Sequence, residues 1–498
     1  MGTATESLSS TQHGSESISS MRTVNHPLLV GIQDAWQQAR PFQVEDAEFA
    51  AKCGSVVLGH KTGLGKTFIA QLAWSLWPEA QKGLIIGTLS SMATWWRLLQ
   101  QWGGVEPVFL QGAQSLEVWR EAVRAKTGIW MCTYSSFRYY MSKTSFKTKA
   151  HFDVLIDDEL HRMMRNRSTK IYGAHLLLDF DHYIGCSATW ASRGPQDLWP
   201  VLHLMNRRTF PSYWKFVNTF CFVETGTFGK EVFGVKNGDN LRKMLQQQYF
   251  RSRNWKDVSS QFGALPGDPV VRRAQRVAMS HQQHEILSQL QADMIVELGE
   301  KMIVTPNALS LLTRCLQIAI SPRLLFPEAD FGGPIEWLRD KVAEDPHTVI
   351  FCPFKAGLSV MEDALIKDNY PPEDIFELKG GTSPEDINSR VAAWKKCKGV
   401  MLCTIDFAQS FDLDTTDTAY MLGFDWDPND NYQAEGRLRR LDSALKSPCL
   451  VRYIIPERSE YELVKEVVNG KLINTQQFLQ GYLSAHQKMV DAPQVFEI

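Results

Sequence analysis

Apolar and polar residues alternate in blocks along this chain. From residue 40 to 190, short apolar runs occur at 55–59 (SVVLG), 83–89 (GLIIGTL), 128–134 (GIWMCTY), 152–157 (FDVLID) and 182–188 (HYIGCSA), separated by stretches with helical spacing. Runs apolar at nearly every position predict strands covered on both faces, hence an open parallel sheet with crossover helices. The same alternation resumes near residue 335, with runs at 348–354, 376–380, 399–405, 418–424 and 450–455. Between 200 and 325 aromatic and basic residues dominate, and 281–303 (HQQHEILSQLQADMIVELGEKMI) predicts one long helix. The expected fold is α/β, with two parallel-sheet lobes separated by a mostly helical segment and closed by a helical tail.

Composition narrows the class. A chain of 498 residues is too long for one core. With 44% hydrophobic residues, 22% charged and a net charge of −2, it has the make-up of a globular protein. Nucleic acid would therefore have to be held by local basic patches rather than by a globally basic surface. No apolar run reaches the length of a membrane span, so no membrane association is expected. Residues 1–25 begin with a polar, Ser/Thr-rich stretch without the apolar core of a signal peptide and predict a disordered tail. The Met-Gly start lacks a myristoylation pattern, because Glu6 stands where Ser or Thr is needed. Nine cysteines, scattered singly, suggest a reducing compartment with neither a zinc site nor a disulfide framework. No internal repeat is visible.

The run at 55–59 leads into HKTGLGKT (60–67) and then a helical stretch, the setting of a phosphate-binding loop. Gly63 and Gly65 would let backbone N–H groups close around a β-phosphate. Lys66 would reach the β/γ-phosphates, and Thr67 would offer its hydroxyl to magnesium. His60 stands where a strict P-loop has its first glycine. Further on, the run at 152–157 ends in three acids, Asp157, Asp158 and Glu159, with His161 just beyond. Alone, such a triplet is a solvated turn. At the end of a strand in a P-loop sheet, it suits one carboxylate on magnesium and the next polarising the attacking water. Counting back from His161 gives magnesium to Asp158 and water to Glu159. Asp157 is then expected at a partly exposed strand end, with a supporting role as the alternative.

From residue 40 to 460 the chain resembles the SNF2-family ATPases of helicase superfamily 2. ARPFQ (39–43) is similar to a motif whose glutamine reads adenine, which implies Arg40 and Gln43 as nucleotide contacts. The loop TGLGKT adds Thr62, Gly63, Leu64, Gly65, Lys66 and Thr67. IIGTLSSMATWWRLLQQW (85–102) and CTYSSF (132–137) are similar to DNA-facing segments, implying Ser90, Ser91, Thr133 and Tyr134. GCSATW (185–190) stands for a coupling motif that includes Thr189. LRKMLQQQYFRSRNWKDV (241–258) places Arg251, Arg253 and Lys256 at the basic positions of a further element, and LLTRCLQIAISPRLL (311–325) resembles another family signature.

In the second lobe the resemblance implies DNA contacts from Phe354, Lys355, Thr404 and Ser410. QAEGRLRR (433–440) matches a finger motif in which Gln433 faces the nucleotide and Arg437 and Arg440 reach the γ-phosphate. Arg439, between them, is expected as a solvated or DNA-facing cation. His161 would link nucleotide to lobe interface.

The resemblance implies two RecA-like lobes, lobe 1 over 26–200 and lobe 2 over 331–498, with a helical insertion over 201–330. It also implies ATP and Mg2+ as ligands, and duplex, forked or branched DNA as a sequence-independent partner. The layout of 200–265 is most similar to the fork-remodelling, annealing branch. The expected protein is a monomeric double-stranded-DNA translocase, bacterial or phage-encoded and cytoplasmic, or nuclear if eukaryotic. The departures are DELH for DEAH, one extra residue before RNRSTK, Ser-Ala-Thr in the coupling motif and FAQS at 407–410. A strand-separating helicase, a nucleotide-gated DNA clamp and a P-loop kinase are the competing readings.

Overall fold

The apolar runs of the first half form β1 (Ser55–Leu58), β2 (Lys82–Gly87), β3 (Val108–Leu110), β4 (Gly128–Thr133), β5 (Ala150–Asp158) and β6 (Leu178–Cys186). The computed structural model describes residues 24–144, 149–162, 164, 166–188, 190–191, 194–226, 229–261, 269–298, 301–305, 308–380, 382, 384–408, 411–439 and 448–466. These strands pair in parallel in the order β3-β4-β2-β5-β6-β1. Both faces are covered, as runs without polar alternation require. Val57, Leu84 and Ile86 enter one apolar cluster, while Val56, Leu58 and Ile85 enter the cluster on the opposite face.

A hairpin of β7 (Phe222–Gly226) and β8 (Gly229–Phe233) precedes β9 (Phe250–Arg251), which adds in parallel beside β1 as the seventh strand. The second half begins with β10 (Val270–Val277) and the hairpin β11 (Ile295–Leu298) and β12 (Lys301–Val304). It continues through β13 (Val349–Cys352), β14 (Ile375–Leu378), β15 (Val400–Thr404), β16 (Thr418–Leu422) and β17 (Cys449–Pro456). The second sheet is again parallel, in the order β10-β17-β16-β13-β15-β14.

The middle segment is divided between the two lobes rather than packed as a body of its own. Leu202, Phe216, Leu241 and Phe250 share a cluster with the first sheet. Val270, Ile286, Leu316 and Leu325 share one with the second. The expected edge of the second lobe at 331 thus falls inside a continuous core, and the lobes meet in sequence between 261 and 269. The strand β10 was hidden by its three arginines, tolerable because β10 is an edge strand. The long helix expected over 281–303 stops at Asp293, with Met294 in the left-handed region (φ 56), and β11 and β12 follow. The Ile295-Val296 pair suits a strand better than a helix end. Of the expected tail, 1–23 and everything beyond 466 lie outside the described residues. Among the described residues no helix is long and apolar enough to cross a membrane.

Candidate active site

Strand β1 runs into the loop 59–65, and the helix Lys66–Trp74 starts from it. Gly63 and Gly65 have φ of +85 and +80, a region costly for any side chain, which turns the loop back over the helix N-terminus. β9 supports this turn, because the amides of Gly59 and Lys61 donate to the carbonyls of Arg251 (2.7 Å) and Arg253 (2.9 Å). Lys66 Nζ donates to the His60 carbonyl at 3.0 Å. Leu64 points into the apolar core.

His60 is fully buried and places Nε2 2.7 Å from Asp46 Oδ2, on the helix Pro41–Cys53. Arg251 and Arg253 pair with the same carboxylate. Burial alone would raise the Asp46 pKa, but His60 and Arg253 hold it well below the usual carboxylate range. These two half-buried arginines therefore brace the P-loop through Asp46; Lys256 is exposed.

The acids end β5. Asp158 is buried: Trp95 Nε1 donates to its Oδ2 at 2.9 Å, and the Glu159 amide donates to its Oδ1 at 3.0 Å. Glu159 sits in the left-handed region (φ 52), unusual for a side-chain-bearing residue and typical of functional turns. Asp157 is not at an exposed strand end. It is 0% exposed and accepts from His175 Nε2 (3.0 Å) and the Tyr183 hydroxyl (2.9 Å). In a sheet covered on both faces the third acid has no solvent side to point to, so it needs buried donors.

The second lobe reaches this turn through the helix Pro428–Glu435. Gln433 Nε2 donates to Glu159 Oε2 at 3.2 Å and lies 3.3 Å from His161 Nε2, while His161 Nδ1 is 2.9 Å from Ser187 Oγ. Just beyond, a Cβ on Gly436 would fall 2.4 Å from Thr62 Oγ1. Lys61 Nζ stands 4.7 Å from the Tyr432 ring centroid, and Arg272 Cζ stands 4.9 Å from it. Arg437 Nε donates to the Ala408 carbonyl at 2.9 Å. A cavity of about 920 Å³ is lined by Arg40, Gln43, Thr62, Lys66, Thr67, Asp158 and Glu159 from one lobe and by Arg437 from the other.

The remaining expected contacts divide. Ser91 and Thr88 form the capping box of the helix Leu89–Leu98, and Thr133 caps the helix Tyr134–Lys143. Tyr134 does not face outward: it is 2% exposed, and its hydroxyl donates to the Asp158 carbonyl at 2.9 Å. Thr404 is 1% exposed, at the buried end of β15. Phe354 packs against the second core, and Lys355 Nζ donates to the Gly380 carbonyl at 3.0 Å. Arg439 is not solvated; at 3% exposure it pairs with Asp417 and donates to the Thr416 carbonyl. Thr189, Ser410, Arg440 and the side chain of Ser90 lie outside the described residues. Trp95 was visible only as part of a tryptophan-rich helix, since nothing in the sequence singles out which indole meets the acid.

The donor set suits a magnesium–nucleotide. Burial and the neighbouring Glu159 push the Asp158 pKa up to about 7, against the pull of Trp95 and Lys66. Full ionisation of the pair therefore calls for more positive charge than Lys66 supplies, which a divalent cation would provide. A P-loop and an acidic strand end on one parallel sheet, faced by an arginine from a second, define a two-lobed helicase-type ATPase.

Residues 38–324 match the SNF2-related domain and 334–442 the helicase conserved C-terminal domain. The chain belongs to the SNF2-related family. It is 20% identical over 442 residues to the SWI/SNF-related matrix-associated actin-dependent regulator of chromatin subfamily A-like protein 1 of Drosophila melanogaster, covering 87% of this chain and 55% of that one. It is 22% identical over 462 residues to the SWI/SNF chromatin-remodeling complex subunit snf22 of Schizosaccharomyces pombe, covering 85% and 27%. The chain thus spans about half the length, or less, of these curated relatives. Among solved structures, the Sulfolobus solfataricus SWI2/SNF2 ATPase core in complex with dsDNA aligns with 96% of this chain and 100% of its own at 17% identity and a TM-score of 0.42.

Proposed function

We propose that this chain hydrolyses ATP in the cleft between its lobes and uses the closing motion to move along duplex DNA, remodelling branched DNA or DNA-bound protein. The observation that carries this reading is that Lys66, Asp158, Glu159 and Arg437 line one cavity although they come from two sheets. Arg40 and Gln43 hold the base. The amides of the loop and Lys66 would hold the phosphates, and Thr67 and Asp158 would hold magnesium. When bound, that ion neutralises charge on the phosphate oxygens. Glu159 orients and polarises the attacking water, held in turn by Gln433. Arg437, with Arg440 from the same motif, meets charge developing on the γ-phosphate. Since Arg437 belongs to the second lobe, the reaction runs only with the lobes closed, and product release lets them part. The test is ATPase rate with single-stranded, duplex, forked and four-way DNA compared side by side. Stimulation by duplex or branched DNA is expected. A rate indifferent to all four sinks the reading, and unwinding without fork regression would make the protein a strand-separating helicase.

A second expectation concerns Trp95. Its indole N–H is a buried donor to the magnesium carboxylate, and supporting hydrogen bonds of this type typically account for 10–100-fold in metal affinity or activity. Trp95→Phe keeps most of the ring volume and removes only the donor. The Mg2+ concentration for half-maximal hydrolysis is expected to rise about 10–100-fold. A magnesium titration superimposable on that of the unaltered protein would show that the contact is packing alone.

A further inference from the structure

A group of cations gathers on lobe 1 away from the ATP cleft. Arg167 Cζ lies 4.4 Å from the Tyr213 ring centroid and 5.7 Å from that of Trp214, and Lys230 Nζ lies 5.0 Å from the Trp214 ring. The rings are fixed from behind: Tyr213 meets buried Trp199 edge-on at 5.6 Å and Trp214 at 5.3 Å. Tyr172, on the same Trp199, feels the charge of both Arg207 and Arg167. Arg167, Arg207 and Lys230 are all exposed. Among the described residues, none of the three has a carboxylate within ion-pair distance.

Strand alternation turns the two glutamates of the hairpin away from this surface. In the hairpin, Val223 pairs with Val232 and Thr225 with Lys230, while Glu224 pairs with Glu231. Val223 and Val232 pack on the lobe-1 core; Lys230, further along the same face at the exposed end of the hairpin, lies over Trp214, while the two glutamates take the opposite face.

The geometry points to a second nucleic-acid contact on lobe 1, in which Arg167, Arg207 and Lys230 grip duplex phosphates outside the interlobe path. The inference rests on the DNA-dependent reading above and adds a separate surface to it. Phosphates rather than bases are the ligand, because cations already cover the ring faces on which a base would stack. The rings preorganise the cations, so ordering them costs less on binding. Phosphate contacts position a duplex without reading its sequence.

The test is duplex affinity of the full chain measured against salt, with the triple variant Arg167→Gln/Arg207→Gln/Lys230→Gln. Each side chain is exposed and none lines the ATP cavity, so ATPase without DNA should be unchanged. The slope of log affinity against log salt is expected to flatten by about 2.7, at about 0.9 for each lost phosphate contact. An unchanged slope, with duplex still stimulating the ATPase, overturns this surface and leaves the DNA-dependent reading intact. The same result with lost binding to polyglutamate assigns the surface to an acidic protein instead. If the unaltered chain neither binds duplex nor responds to it, both readings fall.

Discussion

Arg437→Ala should slow ATP hydrolysis by about 10³–10⁵-fold, the range of an arginine finger in GTPases. Nucleotide affinity, set mainly by the P-loop of the other lobe, should change little. The side chain follows the Pro428–Glu435 helix and is steered by the bond from its Nε to the Ala408 carbonyl, so its guanidinium reaches the cavity in a fixed direction. Its approach is governed by Gly436, where a Cβ would collide with Thr62. Arg437→Lys should recover only part of the loss, because the ammonium keeps the charge but neither the planar fork nor the Nε bond. Single-turnover hydrolysis beside binding of a non-hydrolysable analogue checks this. A loss below tenfold would mean that Arg437 is an interface residue and no more.

Asp157→Val should destabilise lobe 1 by about 3–5 kcal/mol, the usual consequence of removing one partner from a buried charge pair. His175 is fully buried, with Nδ1 2.8 Å from the Ile171 carbonyl and Nε2 3.0 Å from Asp157. Both ring nitrogens thus face acceptors, an arrangement that suits the charged ring. Burial disfavours that form, but the Asp157 carboxylate outweighs it and the His175 pKa is raised from 6.5. A raised folded-state value means that the pair's stabilisation is complete below about 6.5, the pKa of the unfolded imidazole, and fades as pH climbs through the folded value. The stability gap between the unaltered protein and the variant should therefore be wider at pH 6 than at pH 9. Urea unfolding at both pH values measures it. Equal midpoints would show that Val fills the site without leaving its neighbours in need of a partner.

How much of this was legible depended on range along the chain. The strand runs are local, and so were the two parallel sheets and the turn that leads from β1 into the helix at Lys66. The fate of Asp157 was not, because its partners are His175 on a later helix and Tyr183 on the next strand, which no local pattern connects. Tyr134 was misjudged for the same reason, since a tyrosine after a strand looks alike whether it meets DNA or the Asp158 carbonyl. Arg439 had the charge of a surface residue, but Asp417 and the Thr416 carbonyl draw it inside. The middle segment misled most. Three arginines masked the edge strand β10, and a helical spacing ran on past Asp293 into residues that form a hairpin.

Among the described residues the chain passes from the first sheet to the second once. The last anchor on lobe 1 is Gln261, whose Oε1 accepts from the Phe42 amide, and the first on lobe 2 is Pro269, whose carbonyl accepts from the Cys449 amide. On the proposed mechanism, the P-loop with its acids and Arg437 are therefore parts of one polypeptide, and their encounter is intramolecular: its effective concentration does not depend on how much protein is present.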